Sequence, residues 1–196
     1  MSLASEFATE KPPVSEGLQD KYLLKAVFLA GAGGSGKSLV SDAMFGGEPL
    51  KVVNADKYLE RFLKLAGISL SKVGQEYGLF RKARDAMKME LRHYAQRRLG
   101  LVIDSTGWDY ERVAKPAHKL RQLGYDVYMV FVTTTLDTAL RRNSERAKQG
   151  GRFVPDSFVE DAWRGAHRNL RRYIRLFGKK NIHLIDNDVD VKKEDW

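Results

Sequence analysis

The chain contains no cysteine. A disulfide scaffold, thiolate zinc sites, a CxxC redox pair and a thiol nucleophile are therefore all excluded. Proline is scarce, at 5 of 196 residues, and no apolar run is long enough for a membrane helix. The opening stretch MSLASEFATEKPPVSEG lacks the basic start and apolar centre of a signal peptide. A cytoplasmic location without membrane contact is the expectation. Acidic residues are also in deficit, 25 against 34 Lys plus Arg, for a net charge of +9.

What is present describes a globular protein. Apolar residues make up 43% and charged residues 30%, enough to bury a core and too apolar for global disorder. The positive excess is concentrated: the segment 141–180 alone carries a balance of +8. Such a concentration points to a polyanionic partner or a phosphate-handling surface; a solvated basic helix face is the plainer alternative.

Residues 1–20 are polar and aperiodic, contain Pro12-Pro13, and read as a flexible tail before one domain over 21–196. Short apolar runs then alternate with longer amphipathic stretches. Lys25–Ala30, Lys51–Val53, Leu101–Asp104, Asp126–Thr133 and 181–185 read as strands. Several are apolar at consecutive positions, as in strands covered on both faces of a parallel sheet. Helical patterns fill the spaces at 37–45, 57–66, 79–99, 109–123, 136–148 and 156–177. The alternation predicts an α/β fold, a doubly wound parallel five-stranded sheet with helices on both faces.

The first strand runs into Gly31-Ala32-Gly33-Gly34-Ser35-Gly36-Lys37-Ser38. This fits the P-loop pattern, in which glycines let successive backbone N–H groups turn around a phosphate. Lys37 then reaches the β- and γ-phosphates, and the Ser38 hydroxyl is a magnesium ligand. Gly31, Gly33 and Gly36 also satisfy the dinucleotide fingerprint, with Asp56 placed where a ribose-binding acid belongs. An NAD-binding oxidoreductase is the rival; Lys37-Ser38 decides against it, because a dinucleotide site has no use for that pair.

No Asn-Lys-x-Asp base reader follows as a GTPase would require; Asn54-Ala55-Asp56-Lys57 sits too early. A kinase needs an acid to accept the proton of the attacking hydroxyl, and cations for the transferring charge. Asp56, past the second strand, suits the base, with a helix N-cap as the competing role. Asp104 ends an apolar strand like a Walker B acid, near magnesium or the acceptor; Asp109 is available to cap the next helix. Arg141 to Arg146 lead into Gly150-Gly151 and close at Pro155, which predicts an Arg-bearing lid over about 141–156.

GAGGSGKS, NADKY, VIDSTGWDYERV and RRNSERAKQGGRFVP, in that order and spacing, resemble the phage-type polynucleotide 5′-kinase domain, within the zeta-toxin-like group of P-loop kinases. The resemblance spans roughly residues 26–185. It implies a nucleoside-monophosphate-kinase-like fold, ATP and Mg2+ as cofactors at Lys37 and Ser38, Asp56 as general base and Asp104 near the acceptor or metal. It also implies Arg142 and Arg146 as lid cations, with Arg146 meeting the transition state. Where that family carries a substrate-binding Arg three residues past the base, this chain has Leu59, with Arg61 two further on. The implied substrate is a nucleic acid, DNA before RNA, with a 5′-hydroxyl end or a hydroxymethyl group of a modified phage DNA base as acceptor. The alternative is a nucleotide sugar, UDP-N-acetylglucosamine. Arg164, Arg168, Arg171 and Arg175 share one helical face beside Arg172, a stripe suited to a phosphate backbone; Arg92, Arg97 and Arg98 are candidates to extend it.

Overall fold

The computed structural model describes residues 22–68, 77–152 and 154–188. The tail expected over 1–20 lies outside the described residues, as does Phe153 within the expected lid. In chain order the elements are β1 (Lys25–Ala30), α1 (Lys37–Phe45), β2 (Lys51–Val53), α2 (Ala55–Leu65), α3 (Tyr77–Gln96), β3 (Leu101–Asp104), α4 (Tyr110–Gln122), β4 (Asp126–Thr133), α5 (Leu136–Lys148), α6 (Asp156–Phe177) and β5 (Ile182–Asp186). The five strands form one sheet in the order β2-β3-β1-β4-β5. Every neighbouring pair is parallel.

The central strands explain the two-sided burial. In β1 and β4, successive apolar side chains enter opposite cores. Phe28, Met129 and Phe131 pack with Val113, Ala117, Tyr173 and Phe177 of α4 and α6, while Leu29, Val130 and Val132 pack with Val40 of α1 on the other face. Helix α6 reaches its core through Val159, Ala162, Ala166, Asn169, Tyr173 and Phe177, spaced by threes and fours as one face of a helix requires. Leu59 and Leu63 of α2 meet Ala83 of α3 in a third cluster.

The predicted strands β1 to β4 have the observed bounds. The helix predicted from residue 57 begins at Ala55, because Asn54 caps it: the Asn54 side chain accepts from the Asp56 N–H at 2.7 Å. Asp56 is thus not the cap, and its carboxylate is left for other partners. The helix predicted over 79–99 runs from Tyr77 to Gln96, ending in a turn where Arg98 adopts a positive φ of 58°. Asp109 caps α4 through the N–H groups of Glu111 and Arg112, which frees Asp104 from that role. Since the strands are parallel, the segments after β1, β2 and β3 emerge along one edge of the sheet, where ligands gather in open α/β folds. No helix among the described residues is long and apolar enough to cross a membrane.

Candidate functional site

The loop between β1 and α1 is built by close approaches that only glycine permits. Gly34 has φ of 82°, and a Cβ there would overlap the backbone carbonyl of Ala139 in α5. Gly36, the α1 N-cap residue at φ 83°, would meet the Asn187 amide in the same way. A Cβ on Gly31 would strike the Val132 carbonyl of β4, whereas one on Gly33 would make only an ordinary contact, 3.8 Å from a Val159 methyl. Gly34→Ala combines αL strain with backbone overlap, each of order 1–3 kcal/mol. A melting temperature lowered by several degrees, together with lost ATP affinity in calorimetry, is expected; an unchanged melt would show that the loop relaxes freely.

Lys37 folds over this loop, donating to the carbonyls of Gly31 at 2.6 Å and Ala32 at 3.2 Å. Ser35 is buried, and its carbonyl accepts from the Asn187 amide at 2.9 Å. Ser38 is exposed on the first turn of α1. Arg142 donates to the Asn187 carbonyl at 2.8 Å, which places it beside Gly36.

Two carboxylates stand at the ends of neighbouring strands. Asp104 Oδ2 accepts from the Asn54 amide at 2.9 Å, whereas its buried Oδ1 has no hydrogen-bond partner among the described residues. Burial pushes the Asp104 carboxyl above the usual carboxylate range, with the Asp56 charge adding and Lys37 and Arg152 opposing. Asp56 receives both nitrogens of the Arg152 guanidinium, at 2.6 and 2.9 Å. Arg146 donates to Asn143 at 3.0 Å, and its buried Nε has no hydrogen-bond partner among the described residues. Desolvation, then the neighbouring Arg152, lowers the Arg146 guanidinium from its ordinary value. Asn143, itself fully buried, also donates to the Val154 carbonyl at 2.7 Å, so one side chain ties the loop's end to α5.

Among the described residues no cluster of three His, Asp or Glu could hold a metal unaided. Magnesium does not need one: it takes one or two protein oxygens, several waters and substrate phosphates. The Ser38 hydroxyl and the unpaired Asp104 Oδ1 suit that donor set. The Asp104 shift also carries a consequence for stability. The folded state holds the Asp104 proton more tightly than the unfolded chain does, so stability is lost as pH rises from the ordinary Asp range through the raised value. Asp104→Asn is expected to raise the melting temperature at neutral pH and flatten that acid-side dependence, while lowering turnover. A lower melt with full turnover would make Asp104 purely structural.

The structure thus brings Lys37, Asp56, Asp104 and Arg146 to one edge of the sheet. Other expected contacts stay apart. Leu59 is 1% exposed in the α2–α3 packing, and Arg61 lies exposed on α2. On α6, Arg164 pairs with Glu160 at 2.7 Å and the Arg172 guanidinium lies 3.6 Å from the Tyr110 ring centre; Arg168 and Arg171 are exposed. Helix α3 packs on α2 and β2, whereas α6 packs on α4, α5, β4 and β5. Arg92 on α3, and Arg97 and Arg98 in the turn after it, are exposed, on an element whose main packing partners differ from those of α6. Sequence reasoning missed Asn54, Asn143, Arg152 and Asn187 as organising residues. Asn54 stood immediately before a helix whose start was placed two residues late; the other three partnerships leave no local signal.

A family model described as Zeta toxin matches residues 16–192. No curated protein matches the chain. Among solved structures, a chain of the PezAT chromosomal toxin–antitoxin system of Streptococcus pneumoniae is 16% identical, with a TM-score of 0.61, over 88% of this chain and 72% of that one. A chain of the Pnkp1/Rnl/Hen1 RNA repair complex is 18% identical, with a TM-score of 0.62, over 80% and 48%. The AvrRxo1-ORF1:AvrRxo1-ORF2 structure with ATP is 16% identical, with a TM-score of 0.65, over 83% and 54%. This chain thus spans about half the length of the last two. At these identities the likeness is one of fold.

Proposed function

The chain belongs to the zeta toxin family and is a P-loop kinase, and from that premise we propose that it uses ATP and magnesium to phosphorylate a hydroxyl on a nucleic acid, DNA before RNA. The observation that carries the phosphotransfer reading is the pairing of Asp56 with Arg152 at 2.6 Å, on the edge that also presents Lys37 and Asp104. It supports an acid able to take a proton and a cation able to meet phosphoryl charge, side by side at the phosphate loop.

In this reading Asp56 accepts the proton of the acceptor hydroxyl as its oxygen bonds to the γ-phosphorus. The bond from that phosphorus to the bridging oxygen breaks, and ADP leaves. Arg152 releases Asp56 in doing so and, with Lys37 and Arg146, meets the charge on the transferring group. Magnesium, held by Ser38 and Asp104, would neutralise phosphate charge. Arg142 closes the nucleotide from the α5 side. The AvrRxo1 neighbour, a complex with ATP, agrees with ATP as donor, and the RNA repair complex agrees with a polynucleotide acceptor.

Arg168 and Arg171, exposed on α6, support the nucleic-acid acceptor, with Arg164 and Arg172 beside them. One observation favours the nucleotide sugar instead: the buried Leu59 stands where polynucleotide kinases of the phage type carry an acceptor-binding Arg, and the exposed Arg61 is the available substitute. Labelled ATP offered to 5′-hydroxyl DNA and RNA, hydroxymethylated DNA and UDP-N-acetylglucosamine separates them. Transfer to DNA is expected. Label on the nucleotide sugar alone would overturn the acceptor and keep the kinase.

A further inference from the structure

The loop from β3 to α4 is tethered at every residue. The Ser105 hydroxyl and N–H both donate to the Leu29 carbonyl at 3.0 Å, and the Gly31 N–H donates to the Thr106 carbonyl at 3.2 Å. The Gly107 carbonyl accepts from the Tyr173 hydroxyl at 2.7 Å, and the Trp108 carbonyl from the Asn169 amide at 2.8 Å. Asn169 and Tyr173 are buried on α6. Gly165, one turn before Asn169, leaves room for the Trp108 backbone: a Cβ there would lie 2.9 Å from Trp108 Cβ.

Two buried polar groups and a helix glycine therefore fix a residue whose ring is not in the core. Trp108 is 40% exposed and Phe158 49%. They meet edge to face, with ring centres 6.3 Å apart at 70°. The Arg112 guanidinium lies 5.7 Å from the Trp108 ring centre. Arg168 is exposed three residues beyond Gly165 on α6.

The position of this pair is as informative as its exposure. The loop is bonded to Gly31, and Phe158 adjoins Val159, whose methyl a Cβ on Gly33 would meet at 3.8 Å. The residues next to both rings in the chain thus lie beside Gly31 and Gly33 of the phosphate loop. Gly34 and Gly36 are met instead by Ala139 and Asn187. The Trp108 loop follows Asp104 at the end of β3, between β1 and β2.

We propose that Trp108 and Phe158 form a stacking platform for an unpaired base of the acceptor strand, with Arg112 and Arg168 toward its phosphates. The proposal rests on the nucleic-acid reading above. Aromatic rings beside cations suit a single strand, because every base offers a π-face whatever the sequence. A rigid ring adds contact at little entropic cost, since its conformation is set before the ligand arrives.

Binding of a fluorescently labelled single-stranded DNA with a free 5′-hydroxyl, measured by anisotropy, tests this against the same strand made abasic at its first two positions. The wild type is expected to hold the intact strand more tightly by roughly 5- to 100-fold. Trp108→Ala and Phe158→Ala should each shrink that difference, and Trp108→Phe should restore most of it. The wild-type comparison and Phe158→Ala, on an exposed first turn, decide the matter even where Trp108→Ala fails to fold. Equal binding of both strands by the wild type, or a difference that survives both alanine variants, overturns the platform while leaving the nucleic-acid acceptor in place. A wild type that binds neither strand overturns both.

Discussion

Lys37→Ala should eliminate measurable phosphoryl transfer while leaving the folded protein intact. The Lys37 ammonium donates to the carbonyls of Gly31 and Ala32, and Lys37 is a member of none of the apolar core clusters, so its removal deletes a charge and two hydrogen bonds but no core side chain. Substitutions outside the core commonly shift stability by about 0.5 kcal/mol or less. Loss of a cation at the transferring phosphoryl is far more costly to the reaction, on the order of 10³-fold or more, because that charge acts where water is excluded. Steady-state transfer from labelled ATP and a thermal melt of the same sample separate the two effects. Near-wild-type turnover would remove the P-loop assignment. NAD-dependent hydride transfer by the wild type would bring back the dinucleotide reading that Gly31, Gly33 and Gly36 also permit.

The parts of this site that the sequence made legible are those encoded locally. The phosphate loop is eight consecutive residues, and Asp104 closes a short apolar run that reads as a buried strand. The bounds of β1 to β4 followed from the same continuous apolarity. Partnerships across the fold were not legible. Arg152 meets Asp56 over a separation of 96 residues, and no periodicity records that a loop before α6 will lie against the end of β2. The arginine stripe shows the converse limit. Helical spacing correctly placed Arg164, Arg168, Arg171 and Arg175 on exposed positions. It said nothing about direction. Helix α6 brings Val159 of its first turns beside the phosphate loop and ends with Phe177 in the core against the sheet. At about 1.5 Å per residue, Arg175 lies roughly 16 Å farther along the axis than Arg164. Only the upper part of the stripe adjoins the site, so a polynucleotide engaging all of it must run down the helix. In that case affinity should fall by about 10³ to 10⁵ between 50 and 200 mM salt, given six or more phosphate contacts. A shallower slope counts fewer.

Asp56→Asn should lower turnover by on the order of 10² to 10⁴, the scale of a lost general base. The amide keeps the shape of the carboxylate and can still accept one hydrogen bond from Arg152, but it cannot take the acceptor's proton. ATP affinity should change little, since Asp56 stands past β2 and the triphosphate is gripped by the loop after β1. The competing explanation is that Asp56 matters only as the anchor of Arg152. Its carboxylate is half exposed, so solvent screens the pair and little stability is at stake. Asn54, not Asp56, caps α2, so the helix start is also preserved. Arg152→Ala discriminates between the two roles. If Asp56 is the base, removing Arg152 leaves a working acid with one phosphate cation fewer, and turnover falls less than in Asp56→Asn. Adding Arg152→Ala to Asp56→Asn then costs a further factor, because the two groups act on different atoms of the reaction. If Asp56 only anchors Arg152, Asp56→Asn weakens that contact and loses no more activity than Arg152→Ala, and the double variant loses no more than Arg152→Ala alone. A double variant equal to Arg152→Ala, with Asp56→Asn no worse than either, would therefore remove Asp56 from the chemistry and leave Arg152 as the residue that acts.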